Sequence, residues 1–166
     1  MPMPDTIPET PKSRIRAAVA DRLAAMIPEL EGRVYVSRAV PTDARHWPCL
    51  IVATGDVTVE ADDRGRPGRR PQTRIVDVIV SLIDDAEPET TLEDRLDWLA
   101  MRVEQALMSE PYLEDADGHA ALDDLRLTET QTSLVAQRGA VRGEMQMLWL
   151  AQIRTLDGDP ARRTGR

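Results

Sequence analysis

Hydrophobic and polar positions alternate with period two from Thr73 to Asp85, in TRIVDVIVSLIDD. Val76, Val78, Val80 and Leu82 share one face, and Ile75, Ile79 and Ile83 share the other, interrupted by Asp77 and Ser81. Both faces are largely apolar and β-branched, so the run predicts a strand covered on both sides. Asp77 is the odd member, because a buried carboxylate needs partners. Either a backbone or arginine donor reaches it at an edge of the core, or it belongs to a subunit contact.

Elsewhere the period is helical. Ile15, Ala18, Val19, Leu23, Met26 and Ile27 recur on one face, Thr10 can cap with Pro11 at the first position, and Pro28 marks the exit. A helix over about 12–27 follows. Leu92, Leu96, Leu99, Val103 and Leu107 define a second helix over about 91–108, with Trp98 beside the seam and Thr90/Glu93 spaced as a capping box.

The remaining segments read as strands and turns. Val34 and Val36 alternate in RVYVSRAV as a short strand, followed by a polar connector, Pro41 to Pro48. CLIVATG is a short apolar strand, and DVTVEA is a half-exposed one. DLRLTETQTSLV and EMQMLWLAQIRT are two closing strands. The second puts Met145, Met147, Trp149, Ala151 and Ile153 on one face. Gly139 and Gly143 lie between them and predict an irregular hairpin turn. Residues 110–124 read as a small, acidic connection.

The fold class expected is α+β: a mostly antiparallel sheet of about six strands with two helices packed on one face. The other face carries Thr, Gln, Ser, Arg and Asp, too polar for a second core layer and suited to water or neighbouring copies. One domain over 12–155 is expected, flanked by a flexible proline-rich leader (1–11) and a flexible tail (156–166).

Composition narrows the chemistry. Among 166 residues there is no Phe, with three Trp and two Tyr, so the core must be aliphatic. No apolar run approaches the roughly 18 residues of a membrane span, so no membrane role is expected. Cys49 is the single cysteine and most simply a small buried hydrophobe. The formal net charge of -8 opposes a general duplex-binding surface, which needs clustered cations.

One loop runs against that charge. ADDRGRPGRRPQ carries Arg64, Arg66, Arg69 and Arg70, with Arg74 just beyond. It reads as a solvated hairpin tip, a salt-bridging contact with an acidic neighbouring subunit, or a phosphate contact. The lack of interleaved aromatics weakens the last. No phosphate-cradling glycine loop, metal-binding HExxH or nucleophile elbow occurs. His46 and His119, the two histidines, have no carboxylate or cysteine at ligand spacing. No catalytic residue, metal site or cofactor is assigned, and the chain is not expected to be an enzyme.

The order of elements resembles a known group. An N-terminal helix leads through ELEGRVYVSRAVP to WPCLIVATGD, a polar hairpin precedes RIVDVIVSLI, a helix begins TLEDRLDWLA, and a Leu/Trp-rich strand closes the chain. Over about residues 12–155 this is similar to the minor tail proteins of long-tailed bacteriophages and prophages, especially the tail terminator family of the lambda gpU type. The resemblance implies a structural protein of the virion tail, present in the host cytoplasm during assembly. It implies a homo-hexameric ring that caps the tail tube, ends its polymerisation and joins it to a neck or head-completion protein. DNA would pass through the channel without specific binding. Arg64, Arg66, Arg69, Arg70, Arg74 and Asp77 are then the candidate contacts with another subunit or with the tail tube protein. The alternatives are a head–tail connector or tail completion protein, and an unrelated small-molecule or peptide binding module.

Overall fold

Thr10 and Ser13 start the first helix by satisfying each other. The Ser13 amide donates to Thr10 Oγ1 (3.1 Å) and the Thr10 amide donates to Ser13 Oγ (2.8 Å). Helix α1 then spans Pro11–Met26 in this computed structural model, which describes residues 9–36, 46–62, 65–86, 89–114, 118–137 and 140–163. Ile15, Ala18, Val19, Ala20 and Leu23 are its buried side. The chain leaves through a 3-10 turn at Pro28–Leu30, with Glu31 (φ 50°) and Gly32 (φ 78°) in the left-handed region.

Helix α2 spans Glu89–Met108 and buries Leu92, Leu96, Leu99, Val103 and Leu107, as their spacing predicts. Thr90 falls within the first turn of this helix. The two helices exchange arginines at their C-terminal ends. Arg22 of α1 donates to the Ala106 carbonyl (3.1 Å) and Ser109 Oγ (2.7 Å) and pairs with Glu110 (3.0 Å). Arg102 of α2 donates to the Met26 carbonyl (3.2 Å). Each cation meets the carbonyl-rich, partially negative end of the other helix, and the order of contacts makes the pair antiparallel.

Strands β1 (Val34–Tyr35), β2 (Cys49–Ala61), β3 (Pro71–Ala86), β4 (Asp124–Gln137) and β5 (Ala140–Leu156) form one sheet in the order β1-β2-β3-β5-β4. The class is α+β, but the sheet is mixed: β1 pairs parallel with β2, and the main path holds five strands rather than six. Every other pairing is antiparallel. β6 (Asp159–Arg163), in the stretch expected to be a loose tail, lies beside the end of β5 past the start of β4.

CLIVATG and DVTVEA, expected as two strands, are one. Gly55 does not break β2; it sits in an irregularity between Thr54 and Val57, where Gly55 and Asp56 together oppose Asp77. Gly143 is likewise inside β5 and not in the hairpin turn.

Both helices cover the same face of the sheet. Their apolar sides meet Leu50 and Val52 of β2, Val76, Val78, Val80 and Leu82 of β3, and Met145, Met147, Trp149, Ala151 and Ile153 of β5. Residues 110–124 are more than an acidic connection, since Leu113, Ala121 and Leu122 are buried in this same core. The expected second cover on β3 exists at one end only. Cys49, Ile51 and Ile83 form a small separate cluster under Tyr35 and Trp47 on the opposite face. Arg142 stacks on Trp47, with Cζ 5.1 Å from the ring centre. Further along, Ile75, Asp77 and Ile79 are only half-buried.

Candidate subunit-contact surface

The β2–β3 hairpin projects beyond the helices. Val59 points to the helix-bearing side, yet it is 44% exposed, and Glu60, Ala61 and Asp62 are exposed as well. At the tip, Gly65 (φ 125°) and Gly68 (φ 80°) take backbone conformations that L side chains resist. The tip is tied to the β5–β6 turn. The Gly68 amide donates to Asp157 Oδ2 (3.0 Å), and the Asp157 amide donates to the Arg70 carbonyl (2.7 Å). A basic loop that could have been floppy is therefore braced.

The predicted arginines separate into two groups. Arg74 is half-buried and donates to Thr155 Oγ1 (3.0 Å) and Gln72 Oε1 (3.3 Å). Arg70 is half-buried, and its Nε donates to the Gly65 carbonyl (3.4 Å). These two shape the hairpin. Arg66 and Arg69 are exposed, and neither guanidinium has an ion-pair partner among the described residues. Arg64 lies outside the described residues.

Asp77 is on the opposite surface, the helix-free face. Its register neighbours are the Gly55–Asp56 irregularity and Leu150, with Ile75 and Ile79 two residues away along β3. A methyl group on Gly55 would stand 3.1 Å from Asp77 Cβ, so the glycine leaves room for this side chain. No side-chain partner reaches Asp77 among the described residues. The tip and Asp77 are thus not one cluster in a single chain; they occupy separate places.

The same face brings Ile79 together with residues of β4 and β5 that were not among the candidate contacts. Ile79 and Leu148 floor a shallow depression of about 150 Å³ whose rim is Glu129, Gln131 and Gln146. Gln131 Nε2 donates to Glu129 Oε1 (2.6 Å), which orients the carboxylate. Across β3, β5 and β4, Asp77, Asp85, Asp124, Glu129 and Glu144 share the face with Arg126, Arg142 and Arg154. The signal was the alternation of Glu129, Gln131 and Ser133 in β4, but pairing with β5 was needed to place them.

Two further groups are electrostatically distinctive. Asp84, 1% exposed, faces Arg95: Nη2 donates to Oδ1 (2.9 Å), and Nε lies 2.7 Å from Oδ2 without hydrogen-bond alignment. Burial holds its carboxyl above the usual value, with the Asp85 amide and then Arg95 pulling it back. Burial also pushes the Cys49 thiol up to about 11, against the opposing pull of Arg142 and Arg33. On α2, Trp98, Met101 and Met108 are exposed apolar side chains at helical spacing.

No family model matches this chain, and no curated protein matches it. Among solved structures it is similar to a chain of the "Virion of native gene transfer agent (GTA) particle", at 20% identity and a TM-score of 0.47, over 84% of this chain and 95% of that one.

Proposed function

We propose that this chain is a structural protein of a phage-like virion, without catalytic activity, and that it works as a tail terminator. In this reading copies close into a six-fold ring on the end of the tail tube, stop its growth and receive a neck or head-completion protein. The observation that carries the reading is the division of the molecule into a braced, projecting basic tip and a separate, half-covered acidic and aliphatic sheet face. A closed ring of identical subunits needs two such different, mutually complementary surfaces on each copy. The order of elements similar to tail terminators supports the specific role. The net charge of -8 supports passage of DNA without adhesion, since like charges repel along a shared channel.

The test is tail length. Particles assembled without this protein should carry overlong tails without heads, measured by electron microscopy, and supplying the protein should restore uniform tails. Tails of ordinary length joined to heads in its absence would remove the terminator role. Absence of the protein from purified particles would remove the virion role altogether.

A further inference from the structure

We infer that the helix-free sheet face of one copy is the receptor for the arginine tip of the next. Arg69 or Arg66 would enter the depression floored by Ile79 and Leu148. This rests on the ring reading above and assigns the two surfaces that make its contact.

The depression matches an arginine in both halves of its chemistry. An arginine buries its aliphatic stem along apolar surface while its guanidinium stays among polar groups. Here the floor is aliphatic, and the rim offers the Glu129 carboxylate, already oriented by Gln131. Arginine–carboxylate pairing is charge-assisted and directional, so a preset carboxylate reduces the ordering that binding requires.

A second carboxylate stands on the same face. Glu129 is level with Leu148, and Asp77 with Leu150, so the two lie diagonally on either side of β5. Two strand spacings separate β3 from β4, about 10 Å. Arg66 and Arg69 are held three residues apart in the turn closed by the Arg69 amide and the Arg66 carbonyl (3.0 Å). Two cations on a braced turn would meet two carboxylates on the sheet, with Arg126, level with Leu150, as the cation already beside them. The aliphatic surface left half-open at Ile75, Ile79, Leu148 and Leu150 would be covered in the process.

The contact cannot close within one chain. The tip lies at the far end of the β2–β3 hairpin, held by the β5–β6 turn, whereas the depression lies mid-sheet on β3, β5 and β4. A tip-to-face contact is consequently heterologous, which generates a ring when the rotation closes.

Sedimentation velocity of the full chain over a concentration series tests this with two reciprocal variants. One carries Arg66→Glu with Arg69→Glu, and the other carries Glu129→Arg, all at exposed positions. The wild type should associate, and more weakly as salt rises. Each variant alone should lose at least about tenfold in association constant. An equal mixture of the two should regain association, because acidic tips then meet basic faces and basic tips meet acidic faces. Asp77→Asn, which keeps the side-chain volume, should weaken association by itself. Circular dichroism matching the wild type verifies that each variant is folded. A wild type that stays monomeric throughout, variants that associate as tightly as the wild type, or a mixture of folded variants that fails to regain association would each overturn the inference. Tail length is read separately: a ring held by other surfaces keeps tails short while failing the mixing experiment.

Discussion

Gly143 of β5 lies directly beneath Leu96 of α2: a methyl group on Gly143 would stand 2.6 Å from Leu96 Cδ1, and 3.1 Å from both Leu92 Cδ2 and Leu134 Cδ2. The helix rests on the sheet this closely because one strand position there has no side chain. Gly143 is thus a packing residue in the middle of a strand. Leu92 and Leu96 are completely buried and have little space to give way.

Gly143→Ala should therefore destabilise the fold by about 1–3 kcal/mol through overpacking. Urea denaturation gives the value. In a double-mutant cycle with Leu96→Ala the two costs should sum to more than the double variant shows, because the truncated leucine makes room for the added methyl. Additive costs would place the strain elsewhere.

Arg22→Ala removes three partners at the end of α2, the Ala106 carbonyl, Ser109 and Glu110. The expected loss is about 1–2 kcal/mol, the range for a partly buried cation at a helix C-terminus. Arg22→Lys should recover only part of it, since one ammonium cannot reproduce the fork. Equal stability of the lysine variant and the wild type would reduce the interaction to charge alone.

Asp84 makes a signed prediction for pH. Its carboxyl is held above the ordinary value of 3.8 in the folded chain, chiefly by burial. The folded state therefore binds the proton more tightly than the unfolded state. This group's contribution to stability declines as pH rises from about 3.8 through the raised folded value. Asp84→Asn cannot ionise, so the stability of the wild type minus that of the variant should fall as pH rises across that window. A difference that grows with pH would mean that Arg95 outweighs burial.

Cys49 should be inert while the protein is folded. Its thiol is fully buried and pushed up to about 11, so almost no thiolate is present at pH 8. Thiol-directed reagents should label it quickly in denaturant, and in native buffer only at the rate of opening. Rapid native labelling would show that the cover formed by Tyr35 and Trp47 opens readily.

The helices were legible because each signal that defines them is local. Thr10, Pro11 and Pro28 bracket α1, and the aliphatic spacing of α2 persists over about four turns. The buried face of β3 was legible for the same reason. Gly55 and Gly143 were misread as punctuation, because a glycine in a strand and a glycine in a turn look alike until the neighbour across the sheet is known. β6 was hidden in a polar segment that extends beside the edge of β5.

Sequence alone determined the buried sides of the two helices and of β3, the bounds of α1, and that the run Arg64, Arg66, Arg69, Arg70 and Arg74, together with Asp77, is unusual in its surroundings. These follow from periodicity, capping chemistry and the cost of burying charge, all of which act within a few residues along the chain. Only the tertiary structure decided that β1 runs parallel to β2, that Arg70 and Arg74 serve the hairpin while Arg66 and Arg69 have no ion-pair partner among the described residues, and that Glu129 and Asp77 share one uncovered face. Those outcomes depend on strand pairing, which brings residues distant in sequence to within about 5 Å and sends successive side chains to opposite faces.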